Sequence, residues 1–443
     1  MKKRTPYIYF LTNVVLLPLI LVIGDLRPLT IAIFWLVSLA YAIYYFKPLF
    51  KECGILFFLS PCILTYVYSI INYVTGSLYY SIDVLSGTSW YIDFFGINHY
   101  RLFFILTYQN LCNAIVVYIG SKYPLSYYRP PEVKSATLIV IPIIMFLFIL
   151  FFAMQIFIID FSFIGGSSLS SESGGTDTGL NSPIVMGIVF LISHKLNSYG
   201  VKKLLRLAIY AVMIIILAIS SVGSKRELFF AIIGILIIEM VFHNSKIKFN
   251  LRNILVGTVA IALAVFYILT ASITRGYGNF GVDSFSEAID YVPMYAQSET
   301  FNVVVGNNFE TPYHYASSVI ACDYILEDKM PLLLGSSFLK VLFIPIPRSV
   351  FNYKPQSMVD AFTWAYDPEF RSMGGSFPVS VYSEFLANFH FLGIFFLIFF
   401  LYFFRSCLFL LLIKVSIITN LTYILFLFLL CFYILCEEVD SSH

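Results

Sequence analysis

Long apolar runs separated by short polar segments dominate this sequence. A bilayer-crossing helix needs about 20 mostly apolar residues, because unpaired backbone groups cannot face hydrocarbon. Runs of about this length predict spanning helices at 7–24, 28–46, 53–74, 100–120, 136–159, 180–198, 204–222, 227–243, 253–273, 380–404 and 418–436. A shorter apolar stretch, 406–417, contains Lys414 and is predicted to be interfacial. The pattern therefore predicts an all-α polytopic membrane protein with about eleven transmembrane helices.

Basic residues orient the predicted helices, because Lys and Arg are enriched in cytoplasmic loops. The loops on one side contain Lys2, Lys3, Arg4, Lys47, Lys51, Lys122, Arg129, Lys134, Lys195, Lys202, Lys203, Arg206, Lys246, Lys248, Arg252 and Arg405. On the other side, 160–179 has only acidic charges. The amino terminus is therefore predicted to be cytoplasmic, with an uncleaved first span because no small-x-small cleavage site follows it.

This topology divides the chain into three parts. Residues 1–273 form a bundle of about nine helices, 274–378 form a large extracytoplasmic loop, and 379–443 return to the membrane. Within the loop, the apolar run 331–347 predicts a helix that lies on the outer membrane surface or re-enters it. The two prolines of Ile344-Pro345-Ile346-Pro347 then form a rigid turn before Arg348.

Composition supports a membrane location and narrows the chemistry. The chain is 59% hydrophobic and 12% charged, against about 25% charged residues in soluble domains. A net charge of +2 gives no support for nucleic-acid binding. The seven cysteines and six histidines include no pair with zinc-ligand spacing, so we expect no metal and no cofactor.

Ionisable residues are rare inside the predicted spans. Glu239 lies near the cytoplasmic end of one span, where it is expected to extend toward Lys246, and Glu384 lies near the outer end of another. Ion-coupled transporters usually place ionisable groups deep in the bundle, so this pattern argues against that class.

Cations on the predicted outer face are few. They are Arg226, Arg275, Arg348, Lys354 and Arg371. Arginine binds phosphate through two parallel hydrogen bonds, and Arg226 at a helix amino terminus adds the helix dipole. An external polyanion explains these residues, but Arg226 and Arg275 also fit as anchors to lipid phosphates, and Arg371 as a solvated loop charge.

Two segments resemble oligosaccharide repeat-unit polymerases (Wzy type) of O-antigen and capsule assembly. The first runs from Gly335-Ser336-Ser337-Phe338 through the Pro-Arg turn to Lys354-Pro355, and the second from Gly374-Gly375-Ser376 through 384–389 to Gly393. The resemblance is good over 331–393 and loose over the rest of the chain. One departure is His390, which stands where the family usually has Gly.

This resemblance implies a GT-C-like helical bundle that acts as a metal-independent glycosyltransferase in the bacterial cytoplasmic membrane. Its substrate would be an undecaprenyl-pyrophosphate-linked oligosaccharide, and its partners a chain-length co-polymerase and a flippase. Arg226, Arg275, Arg348 and Lys354 are then expected to bind the pyrophosphate leaving group.

A general base is optional with such a leaving group. Glu384 is the first candidate, although a capping or ion-pair role is equally open, and His314 is the second, with a structural role as its alternative. Loop aromatics either stack on sugar rings or pack the loop; they are Tyr277, Tyr295, Tyr313, Tyr315, Trp364 and Tyr366.

Two other functions compete with polymerisation. An O-antigen ligase uses the same donor but depends on a histidine motif that is not clear here. A flippase or transporter of lipid-linked oligosaccharides is expected to lack a dominant external loop and to have charges inside the bundle.

Overall fold

A computed structural model of the chain is helical, with no strand among the residues it describes. Those residues are 8–53 (apart from 9 and 25), 61–82, 92–121, 200–220, 285–297, 311–343, 355–372 and 375–414, with isolated positions between 189 and 282. They fall into two compact units.

The first unit comprises Met1–Tyr128, Val305–Lys414 and Leu430–His443. Its helices are α1 (Thr12–Ile23), α2 (Pro28–Cys53), α3 (Pro61–Ser81), α4 (His99–Ser121), α7 (Thr311–Leu326), α8 (Ser336–Phe343), α9 (Met358–Tyr366), α10 (Pro368–Ser372), α11 (Val381–Phe389) and α12 (Gly393–Lys414). The second unit comprises Arg129–Val304 and Val415–Leu429, and contains α5 (Lys203–Ser220) and α6 (Phe285–Ala296).

Among the residues that the structure describes, three helical stretches are long and apolar enough to cross a membrane: Pro28–Lys47, His99–Gly120 and Val381–Phe403. Large apolar side chains remain exposed along them, including Ile33, Leu36 and Phe399. The prediction of an α-helical membrane protein is confirmed to this extent: the described residues are mostly helical, and three of the helical stretches could cross a membrane. Of the other predicted spans, 136–159 and 418–436 lie outside the described residues, so the total of about eleven stays a prediction.

Proline moves one predicted boundary. The window 53–74 is expected to span, but α2 continues to Cys53 and α3 begins at Pro61. Proline suits the first turn of a helix because its missing N–H would have no intrahelical partner there. The helix therefore starts and ends later in the chain than the apolar window.

The predicted span 380–404 contains a corner. Helix α11 ends at Phe389, a 3₁₀ turn covers His390–Leu392, and α12 then runs to Lys414. The 406–414 part of the expected interfacial stretch thus continues a helix. With 22 residues, α12 is about 33 Å long, enough to cross a hydrocarbon core of about 30 Å without α11.

Helix α7 is buried, although the sequence predicts that 311–326 belong to a large extracytoplasmic loop. It packs against α3, α4 and α11, with small residues such as Ala316, Ser317 and Ala321 fully enclosed. Small side chains allow helix backbones to approach closely. At 16 residues this helix is shorter than a membrane span, so a search for long apolar runs misses it.

Polar side chains connect helices of the first unit where water is excluded. A π turn, Thr12–Leu16, opens α1, and within it the carbonyl oxygen of Asn13 accepts a hydrogen bond of 2.6 Å from Asn110 Nδ2 of α4. Ser38 Oγ of α2 lies 3.4 Å from Asn13 Oδ1. Hydrogen bonds of this kind fix which helix faces meet in an apolar bundle.

In the second unit, Arg206 and Glu239 form a two-point ion pair. Arg206 Nε lies 2.6 Å from Glu239 Oε1 and Nη2 lies 3.0 Å from Oε2. Tyr210 and Asn197 also donate to Oε1. The predicted partner Lys246 lies outside the described residues. The sequence pattern counts Arg206 as a loop cation, but it is in α5 and only 5% exposed.

We expect Arg206→Met to destabilise the protein by about 2 kcal/mol, because it leaves the partly buried Glu239 carboxylate without its cation. Arg206→Met/Glu239→Leu should recover most of that loss, since no unpaired charge remains. Thermal unfolding of the purified protein in detergent measures both effects. Equal midpoints for Arg206→Met and wild type would contradict the role of this pair.

Candidate functional site

A turn before α8 is tied to α11 by two backbone hydrogen bonds. The N–H of Leu333 donates to the carbonyl oxygen of Ala387 at 2.9 Å. The N–H of Gly335 donates to Asn388 Oδ1 at 2.8 Å. Both Leu334 (φ 49°) and Gly335 (φ 88°) have left-handed backbones. The turn therefore has a single arrangement on the helix, although about fifty residues separate the two segments.

The hydrogen bonds of this turn continue to the carboxylate of Glu384. Because Gly335 N–H donates to Asn388 Oδ1, the Asn388 Nδ2 group is left as a donor, and it lies 2.7 Å from Ser337 Oγ. The single Ser337 hydroxyl proton is then directed to Glu384 Oε1. Oε1 of Glu384 is therefore the acceptor at the end of this series of hydrogen bonds.

Serine hydroxyls fix the start of α11, one turn before Glu384. Ser380 caps the helix by accepting from Ser383 N–H, and its own N–H donates to Ser318 Oγ of α7 at 2.7 Å. Ser383 Oγ donates to the carbonyl oxygen of Ser318 at 2.9 Å. An N-cap of this kind is worth about 1 kcal/mol. Helix α7 thereby sets the position of the carboxylate.

Aromatic rings support the same arrangement from the apolar side. The Phe338 ring of α8 lies 4.9 Å from that of Phe385 and stacks on that of Phe389 at 6.0 Å, measured between ring centres. Phe338 therefore packs toward the bundle, and Ser337 is directed at Glu384.

A charged cluster lies one helical turn further along α8. Asp360 of α9 is 2.5 Å from Arg371 Nη2 and 3.8 Å from Lys340 Nζ, and Ser357 Oγ donates to it at 2.7 Å. Residues three apart lie on one helix face. The same face of α8 therefore contacts Glu384 through Ser337 and Asp360 through Lys340. Arg371 is ion-paired to Asp360 and is not a simple solvated charge.

The structure places the two candidate bases in different environments. Glu384 is partly exposed, whereas His314 is 2% exposed and its ring packs edge-on against Tyr68. Burial lowers the pKa of His314 to about 4, with a smaller opposing effect of a hydrogen bond involving the Val379 backbone. His314 is therefore neutral at pH 7, and its role as a base stays a prediction.

The predicted pyrophosphate-binding residues Arg226, Arg275, Arg348 and Lys354 lie outside the described residues. Within the described ranges, no three His, Cys, Asp or Glu side chains are grouped to hold a metal.

The aromatic residues divide by exposure. Tyr295, Tyr313 and Tyr315 are buried and pack the fold, whereas Trp364 is 48% exposed. The Tyr366 ring stacks on Phe362, and Tyr277 lies outside the described residues. Of the five described candidates, Trp364 has the most accessible ring for stacking on a sugar.

Sequence reasoning assigns no role to Ser337 or Asn388, although both lie in the segments that carry the resemblance. The spacing of Glu384 and Asn388, four residues apart on one helix face, is the signal that could have found the pair. Arg101 at the start of α4 is also missed, and it pairs with Asp323 of α7 at 2.7 Å.

No family model, curated protein or solved structure matches this chain.

We expect acid to destabilise the protein through His314. Its pKa of about 4 in the folded state lies below the ordinary value of 6.5, so the unfolded chain binds the extra proton first. This contribution is fully present above pH 6.5 and is lost as the pH falls toward 4, by about 3 kcal/mol in total. Thermal unfolding midpoints at several pH values measure the loss.

The matched control is His314→Gln, which has no titrating group at this position. The difference in stability between wild type and His314→Gln should decrease between pH 6.5 and pH 4. A constant difference over that interval would show that the imidazole does not titrate as described.

His390 occupies a backbone conformation that favours glycine, with φ 52° and ψ −137°. We expect His390→Gly to stabilise the protein by about 1 kcal/mol, because glycine removes this strain at some cost in unfolded-chain entropy. His390→Ala retains a Cβ and should bring no such gain. Detergent unfolding curves compare the two variants, and equal midpoints would exclude strain at this corner.

Proposed function

We propose that this protein polymerises undecaprenyl-pyrophosphate-linked oligosaccharide repeat units into a surface polysaccharide at the outer face of the cytoplasmic membrane. Two features support the proposal. The protein is helical with apolar helices suited to a membrane, and its candidate carboxylate site is formed by both segments that resemble the repeat-unit polymerases.

One observation carries the proposal. The Gly335-Ser336-Ser337 segment and the segment with Glu384 and Asn388 are far apart in the chain, yet three hydrogen bonds join them. Gly335 N–H donates to Asn388, the Asn388 amide donates to Ser337, and the Ser337 hydroxyl donates to Glu384. The His390 conformation adds support, since it gives a physical reason for the glycine that the repeat-unit polymerases usually have at the matching position.

The reaction assigned to this site is a glycosyl transfer. A hydroxyl oxygen of the acceptor repeat unit forms a bond to the anomeric carbon of the donor glycan. The bond from that carbon to the phosphate oxygen breaks, and undecaprenyl pyrophosphate leaves with the electron pair. The Glu384 carboxylate, oriented by the hydrogen bond from Ser337 to Oε1, takes the hydroxyl proton.

The leaving group develops negative charge, which Arg226, Arg275, Arg348 and Lys354 are proposed to stabilise. Arginine suits this task because its planar fork binds two phosphate oxygens at once. Trp364, exposed on α9, is proposed to stack on a sugar ring of the substrate.

The test is glycan laddering in a strain deleted for this gene and complemented with variants. We expect Glu384→Gln to shorten or abolish the ladder while single repeat units remain, because the carboxamide cannot take the proton. General-base catalysis typically contributes about 10²–10⁴ in rate. Ser337→Ala should reduce laddering less, because it removes only the donor that orients the carboxylate. Arg348→Lys should fail if two-point phosphate binding is needed.

Glu369→Gln is the matched control, since Glu369 is an exposed carboxylate on α10 and not part of the site. It should leave the ladder unchanged, and immunoblots must show equal protein in all strains. A ladder that persists in the deletion strain would exclude polymerisation by this protein. Polymer that forms but is not attached to the lipid A core would indicate a ligase, and loss of single units from the outer face a flippase.

A further inference from the structure

Leucines are presented outward from the turn that holds the candidate site. Leu334 is 79% exposed, and Leu332 and Leu339 are each about half exposed. No charged residue lies between Lys329 and Lys340. A surface of this kind, next to apolar helices, has the composition of membrane-contacting segments.

The backbone at Leu334 is strained in order to hold this side chain outward. Its φ of 49° is uncommon for any residue other than glycine, and especially for a large apolar one. The hydrogen bonds of Leu333 and Gly335 to α11 fix the turn on both sides of Leu334. Such a backbone persists only where the surrounding structure fixes it, and leucines grouped on one surface mark a contact with an apolar partner.

The neighbouring surface identifies that partner. A Cβ atom placed on Gly335 would lie 3.6 Å from the ring of Phe389. The Phe389 ring stacks on Phe396 of α12 at 3.8 Å, and Phe396 belongs to a row of exposed phenylalanines with Phe395 and Phe399. Because α12 is long enough to cross the bilayer and this row is exposed on it, we expect the row to face lipid, and the leucine turn lies beside it through Phe389.

We propose that the segment from Pro331 to Leu339, the leucine turn, inserts into the hydrocarbon edge of the bilayer and anchors the Glu384 site at the membrane surface. Under the proposed function, Glu384 would then act on a part of the substrate that lies close to the substrate's own lipid. The insertion itself does not depend on polymerisation and can be tested without a glycan substrate.

The experiment places p-benzoylphenylalanine at single positions of the full-length protein. Each variant is reconstituted into vesicles of phosphatidylethanolamine and phosphatidylglycerol with radiolabelled acyl chains, and is then irradiated. Phe399, exposed on α12, is the positive control, and Glu369, exposed on α10, is the negative control. Leu339 provides a second test position in case substitution at Leu334 perturbs the turn.

We expect lipid adducts at Leu334 or Leu339 comparable to those at Phe399 and at least about fivefold above those at Glu369. Adducts at both leucines that equal those at Glu369 would overturn the proposal, because the turn would then lie in water. Cross-links at Leu334 to a second copy of the chain, without lipid adducts, would also overturn it. The two proposals can fail separately. Lipid adducts at the leucine turn, together with no effect of the protein on glycan laddering, would support this inference and contradict the proposed function.

Discussion

Polar groups inside an apolar helical bundle need hydrogen-bond partners, and this requirement accounts for much of the arrangement described above. Each unsatisfied backbone or side-chain group costs several kcal/mol in hydrocarbon. The Asn13 carbonyl oxygen is therefore matched with Asn110, Arg206 with Glu239, and the serines of α7 with the start of α11. Such contacts select one register between helices that apolar packing alone would leave free to slide or rotate.

The sequence predicts the membrane class and several helices well, because a run of about 20 apolar residues is rare in chains that fold in water. It fails where helices are short or interrupted. Helix α7 has a mixed composition because its small residues touch other helices rather than lipid. The corner at His390 is also hidden, since histidine gives no signal for a positive φ and the apolar run continues through it.

The candidate site was predictable in part. The sequence indicates Glu384 as a candidate because it is a carboxylate at a helix start near the predicted cations, but its hydrogen-bond partners depend on contacts between distant segments. In the sequence alone, nothing distinguishes Asn388 or Ser337 from polar residues that are simply exposed to water. Their role follows only from geometry, where one backbone N–H fixes the direction of the hydrogen bonds from Gly335 through Ser337 to the carboxylate.

The charge of the site bears on which substrate it accepts. Among the described residues close to the leucine turn, Lys340 and Arg371 both lie against Asp360, and the Glu384 carboxylate balances the remaining positive charge. The charges of these four described residues sum to zero. Under the proposed function, pyrophosphate binding therefore needs further cations, which is the role proposed for Arg226, Arg275, Arg348 and Lys354. A neutral acceptor hydroxyl, in contrast, approaches Glu384 without electrostatic penalty, so in the proposed transfer we assign the carboxylate to the acceptor hydroxyl and leave the leaving group to the arginines.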